Sequence, residues 1–381
     1  MRKYLAILIT SLLCVTLPIH AWAATPKAGG KCLKAGQIAT IPGIKFKCIL
    51  VNKKLVWDKG TSTLPKQKPT TSTPTSDPYL ISPPEIKSFQ ELASRYKDIK
   101  YWAWKKAVDA IKENQNPNYK VEVLVGPQSK ECSAKASEAV LAMQNLYQGS
   151  RVATKSTLVY SVKEDDNWLK TTLGSRFPEW NPIQDPNGVN SSLEAYAVQT
   201  EPCTSTGLMT ISGAEIAHGY THALQKIQYV GSKENWGNIP RWLVEGGATF
   251  SENIIQYGQD YKTWITNPGF RNWDLKQYDL SFYRDFFEYK LQADGKYSWS
   301  HTDQWPNQRA YDVGSYACEV LVAFKGPASI INLHKEFAAT GDFPGSFKSV
   351  FGIGWTEAAP ILTEAVYKST TWVVNSPDGI K

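Results

Sequence analysis

An α+β fold is the class this sequence predicts. Strand-like apolar runs come first along the main part of the chain and helical periodicity dominates afterwards, without the strand-helix alternation of a parallel sheet. The 381 residues are 42% hydrophobic and 12% aromatic, with 14 Trp, enough material for one large core or two smaller ones.

Residues 85–113 read as helix with an aromatic patch at Tyr101, Trp102 and Trp104. VEVLVG, 121–126, reads as a buried strand, and 130–148 as an amphipathic helix. TLVYSV, 157–162, is a further strand, and AYAVQT and GLMTIS, within 193–212, are two more around the Glu201-Pro202 turn. A helix over 213–229 follows. Residues after 240 are mostly helical to the C-terminus, interrupted by an aromatic, polar loop region at about 259–307.

Shorter segments precede this domain. Residues 1–23, MRKYLAILITSLLCVTLPIHAWA, set Arg2 and Lys3 ahead of an apolar run and end in the small-x-small pattern Ala21-Trp22-Ala23. This is the signature of a signal peptide cleaved after Ala23, so a secreted or cell-wall-associated protein is expected. Ser11, Leu12 and Leu13 ahead of Cys14 are not the small residues of a lipoprotein anchor. No later segment approaches the ~18 apolar residues of a membrane span. Residues 24–60 make a small basic module, 61–78 (TSTLPKQKPTTSTPTSDP) a Thr/Ser/Pro-rich linker that buries no core, and 79–381 the main domain.

Export permits disulfides, and five cysteines follow the leader, so at least one stays free or pairs between chains. Cys32 with Cys48 is the most local pairing. Cys132 and Cys203, each beside turn-forming residues, make a second. Cys318, within YACEVLVAF, reads as a buried thiol. The module also holds two strand-like runs, KFKCILV and KLVWD, separated by the turn-prone Asn52-Lys53-Lys54. From Lys27 to Lys59 there are eight lysines against Asp58 alone, a charge of +7 that equals the net charge of the whole chain. The part from Tyr79 onward is slightly acidic, which argues against nucleic acid as a partner of the main domain. The module resembles the short Cys-containing, Gly-punctuated modules of exported actinobacterial proteins, which end in a V-W pair as Val56-Trp57 does here. Two readings stand for it: electrostatic attachment to an anionic wall polymer or lipid surface, or a lysine-solvated mini-domain without a ligand.

Chemistry concentrates in two stretches of the main domain. AEIAHGYTHALQ, 214–225, places His218 and His222 one helical turn apart on one face, a natural pair of metal ligands. NIPRWLVEGGATFSE, 238–252, supplies a second helix carrying Glu245, with Asn238 as its N-cap and Pro240 in its first turn. Gly246 and Gly247 each cost about 1 kcal/mol against alanine inside a helix, so a packing reason is expected. The approach of the histidine helix is the one anticipated. Glu215 shares the stripe of the two histidines, placed to hydrogen-bond a ligating imidazole or to be an extra ligand. Glu252, seven residues beyond Glu245, shares the face of that glutamate. His301 and His334 have no partner pattern and read as surface or structural.

The pattern HxxxH, then PxWLxEGxAxxxE, resembles the gluzincin (peptidase-MA-like) metallopeptidases, whose signature is HExxH with a downstream glutamate. The matching residues are His218, His222 and Glu245, with 22 residues between the second histidine and the glutamate. RAYDVGSYACEVLVAFKG, 309–326, and FKSVFGIGWTEA, 347–358, resemble later parts of the same domain. The resemblance spans roughly 85–370 and implies a zincin-like fold, with an N-terminal mixed sheet plus helices and a C-terminal helical part flanking a cleft. It also implies zinc on His218, His222 and Glu245, and a peptide or cell-envelope polymer as ligand. Tyr311 then either stabilises an oxyanion, as the family's tyrosine does, or is a buried structural residue.

Gly219 departs from the family, because that position carries the glutamate that moves protons during hydrolysis. General acid-base groups contribute about 10² to 10⁴ in rate. Zinc alone still lowers its water's pKa to about 7. Three readings follow: a zinc-binding relic that holds a ligand without cleaving it, an active hydrolase in which Glu215 or the substrate moves the proton, or a wall-associated protein whose old site is structural.

Overall fold

The computed structural model describes residues 27–41, 44–62, 82–129, 135–148, 155–161, 163–174, 197–199, 212–266, 275, 277–291, 297–299 and 306–375. The signal-like segment, most of the linker, Cys132, Cys203, residues 207–211 of GLMTIS and His301 lie outside them. Two compact units, 1–75 and 76–381, divide within the Thr/Ser/Pro-rich stretch.

The first unit holds four strands where two were expected: β1 (Ile38–Ile41), β2 (Ile44–Val51), β3 (Lys54–Trp57) and β4 (Thr61–Ser62). All pair antiparallel, with β2 central. Asn52 and Lys53 both take positive φ, 49° and 61°, which is the twist a two-residue hairpin turn requires. Cys32 and Cys48 form a disulfide with Cα atoms 5.9 Å apart, packed with Phe46 and Trp57. A core this small depends on such a bridge.

The second unit is mixed, mostly helical, with small sheets. A single 3₁₀ turn, Phe89–Glu91, precedes α1 (Tyr96–Glu113). The expected helix from 85 starts late because Arg95 takes the carbonyls of Pro84 and Glu85. Next come β5 (Lys120–Val125), α2 (Ala136–Leu146), β6 (Lys155–Tyr160), α3 (Asp166–Leu173) and β7 (Ala197–Gln199). These strands are parallel, in the order β5-β6-β7, with helices between them. The expectation of strands first and helices afterwards is therefore wrong here. Parallel neighbours need a crossover, and α2 and α3 lie within the two crossovers. The burial expected of VEVLVG belongs instead to the central strand β6, where Leu158, Val159 and Tyr160 are buried, while β5 is a half-buried edge. Leu169 and Leu173 of α3 pack on Val159.

The helical part begins with α4 (Ala214–Ile227) and α5 (Arg241–Tyr257). Asn238 does not cap α5. It closes a 3₁₀ turn, Trp236–Asn238, capped by the Asn235 side chain, and Pro240 rather than Asn238 stands at the α5 N-cap. The region expected to be loop contains α6 (Tyr261–Thr266), α7 (Leu280–Phe286) and an antiparallel pair, β8 (Tyr289–Leu291) and β9 (Tyr297–Trp299). The chain then runs through α8 (Pro306–Lys325), α9 (Ala328–Thr340), α10 (Phe343–Phe351) and α11 (Trp355–Asn375). Among the described residues, no helix is long and apolar enough to cross a membrane.

Nearly every residue of α5 is buried, so this helix is the axis of the core. Its closest partner is α8. A Cβ added at Gly246 would lie 2.2 Å from the Gly314 carbonyl carbon, and one at Gly314 would lie 2.3 Å from the Trp242 carbonyl oxygen. The glycine pair therefore serves two different contacts. Gly246 admits the backbone of α8 and not the histidine helix, whereas Gly247 leaves room for Gln225 of α4. Between α1 and α8, Lys100 and Glu319 form a fully buried ion pair at 2.7 Å. Cys318 is a buried free thiol, and His334 is wholly buried with Nδ1 3.3 Å from the Tyr229 hydroxyl.

Gly246→Ala should destabilise the fold by ~3 kcal/mol, the upper end of overpacking costs, because its methyl meets backbone that cannot swing away. Thermal denaturation reads this directly. Burial pushes His334 down from 6.5 to about 3, so it folds neutral. Its unfolded counterpart takes up a proton first as pH falls, so stability should decline by about 1.4 kcal/mol per pH unit below about 6.5 on account of this residue. Urea melts at several pH values should show His334→Leu losing that part of the slope.

Candidate metal centre

α4 carries both histidines because its 214–227 sequence alternates a buried apolar stripe, Ile216, Ala217, Tyr220 and Leu224, with a half-buried polar one, Glu215, His218 and His222. α5 crosses that polar stripe and presents Glu245. His218, His222 and Glu245 thus bring one ligand atom each to within 4.8 Å of one another, a group able to hold a metal ion. The Glu245 Oε2 atom lies 3.3 Å from Nε2 of His222 and 3.8 Å from Nε2 of His218.

The outer ring nitrogens decide what these inner atoms are. His218 Nδ1 is 3.0 Å from Glu252 Oε2, and His222 Nδ1 is 2.9 Å from Gln225 Oε1. The Gln225 amide is itself oriented, since its Nε2 donates to the Val244 carbonyl at 2.8 Å. Both outer partners accept, so both Nδ1 atoms donate, and the tautomer this selects turns an Nε2 lone pair inward on each ring. Glu245 Oε2 is buried and receives no hydrogen bond. Three lone pairs converge with no donor among them. A cation is the group that satisfies such a set, and two imidazoles with one carboxylate leave a tetrahedral ion one open position.

Burial opposes ionisation of Glu245, but the hydrogen bond from His222 and the charges that His222 and His218 carry when protonated outweigh it and hold the carboxyl down at about 2, so the carboxylate draws a cation, proton or metal, to this point. Burial lowers the pKa of His222, against the pull of Glu245, which keeps the imidazole neutral and able to ligate. Tyr311, on α8, stacks on the His218 ring with centroids 5.8 Å apart. Burial and the Glu245 charge push its hydroxyl up to about 12, so it is a proton donor at neutral pH.

Of the residues the sequence singled out, the structure brings His218, His222, Glu245, Glu252 and Tyr311 together. Glu215, half-buried on α4, is not among the converging ligand atoms. Gly219 is buried in mid-helix and offers no carboxylate. Sequence reading missed Gln225, Arg241, Lys226 and Trp236. Arg241 is 51% exposed, with its guanidinium 3.4 Å from Glu245 Oε1, and Lys226 lies 4.8 Å over the Trp236 ring, which meets His222 edge-on at 5.7 Å. Helical spacing was the available signal. Gln225 and Lys226 follow His222 by three and four positions, and Arg241 precedes Glu245 by four. Comparison with protein-family models, with curated proteins and with solved structures finds no match for this chain.

Glu252→Gln removes the charge that fixes the His218 ring, and metal affinity should fall by ~10- to 100-fold with one ion per chain retained. Competition with a chromophoric chelator gives both numbers.

Proposed function

We propose that this chain is an exported zinc-binding protein of gluzincin ancestry that has lost its general base and uses the metal centre to hold a peptide or cell-envelope ligand. The observation that carries the reading is the convergence of the three lone pairs of His218, His222 and Glu245 with both outer imidazole nitrogens already engaged. Zinc suits two nitrogens and one oxygen with an open position, and when bound it would polarise a carbonyl or carboxylate oxygen of the ligand.

The remaining chemistry belongs to side chains. Glu252 and Gln225 hold the imidazoles in one orientation. Tyr311 presents a hydroxyl that stays protonated and can donate to a ligand oxygen. Arg241 and Lys226 both put positive charge near Glu245, which favours a ligand with an anionic end. What is missing is a carboxylate at Gly219 to take a proton from an attacking nucleophile. Glu252 does not replace it, since its Oε2 faces the outer nitrogen of His218. Binding without efficient turnover is the result.

Protein purified without chelator should contain one zinc per chain, and His222→Ala should contain none while remaining folded. A fully folded, zinc-free parent that takes up no zinc on titration would end the metal reading. Gly219→Glu should then create chelator-sensitive peptidase activity where the parent has none. Chelator-sensitive cleavage by the parent itself would show that the base has been replaced rather than lost.

A further inference from the structure

The sheet of the N-terminal unit has two faces, and its core uses one. Along β2, Phe46 and Cys48 are buried and pack with Cys32 and Trp57. Intervening positions point the other way. There the register sets Ile38 opposite Lys47, Ile49 opposite Val56 and Val51 opposite Lys54, and Lys31 bridges to Val56. This second face therefore joins four aliphatic side chains to Lys31, Lys45, Lys47 and Lys54.

Ile38 is 54% exposed and Val51 44%. Ile49 and Val56 are half-buried, and the four lysines are exposed. None of these lysines has a carboxylate within ion-pair distance among the described residues. Asp58, the unit's one acid, accepts instead from the backbone N–H groups of Lys47 and Gly60. A solvated sheet face ordinarily alternates apolar-in with polar-out. Here the outward positions are aliphatic as often as cationic, and their charge is left uncompensated.

We propose that this face is a docking surface for an anionic lipid bilayer. A soluble polyanion would be held by the lysines alone and would leave Ile38 and Val51 in water. A bilayer interface takes both kinds of side chain, with aliphatic groups entering the boundary between headgroups and acyl chains and ammonium groups meeting anionic headgroups. The surface does not involve the metal centre.

The test is flotation of the chain beginning at residue 24, which excludes the leader's own apolar run, with phosphatidylcholine vesicles containing or lacking about one-third phosphatidylglycerol. Binding is expected to the anionic vesicles only. It should fall roughly tenfold in Ile38→Thr/Val51→Thr, which keeps β-branching at both exposed positions, and roughly tenfold or more in Lys45→Glu/Lys47→Glu. Thiol titration confirms that the Cys32–Cys48 bridge survives in each variant. The proposal is overturned if the parent shows no preference for anionic vesicles, or if the threonine variant binds as the parent does while the glutamate variant fails. The second result would assign the face to a soluble polyanion. Parent that self-associates through this face and ignores vesicles would overturn it as well, assigning the face to a second copy.

Discussion

The contact of α5 with α8 at Gly246 and Gly314 is the constraint on which the rest of the second unit depends. Two helices whose backbones touch have no side-chain layer between them to adjust, so their separation and crossing are set by the main chain itself. Glu245 sits one residue before this contact and Tyr311 three residues before its counterpart. The separation of the Glu245 carboxylate and the Tyr311 hydroxyl is thereby set by two glycines rather than by a layer of intervening side chains. The buried Lys100–Glu319 pair fastens the other side of α8 to α1, so that helix is held from two directions.

The histidine helix is held differently. Its approach to α5 runs through Gln225, whose amide bonds the Val244 carbonyl on one side and His222 on the other. Gly247 is small because that amide needs the space. A single glutamine thus couples the packing of two helices to the orientation of a ring nitrogen, and the ring would lose its direction if the helices drifted apart. His218 is oriented from α5 itself through Glu252, so both imidazoles take their setting from the same helix that supplies the third ligand.

Legibility in the sequence followed the range of the interactions. Pairs fixed by one helical turn or by a short hairpin could be read: the two histidines, the shared face of Glu245 and Glu252, the Cys32–Cys48 bridge and the turn at Asn52-Lys53. Contacts between distant segments could not. Nothing local in β5, β6 or β7 states that they run parallel, because three- to six-residue strands look alike in either direction and the crossovers that decide the matter lie between them. Gly246 announced a close approach but not the identity of the partner, since Gly314 is far along the chain. The late start of α1 was hidden for a similar reason, with Arg95 reaching back to carbonyls that a regular helix would have used.

His218, His222 and Glu245 are close in the chain as well as in space. All three come from the stretch between His218 and Glu245, on consecutive helices joined by the 228–240 connection. Bringing these two helices together closes a smaller loop than the α1 and α8 contacts do. An ion held by these three side chains would act as a clasp across the pair, and its release would require the two helices to part rather than the whole domain to open. Its contribution to stability would then rise with the logarithm of free metal concentration.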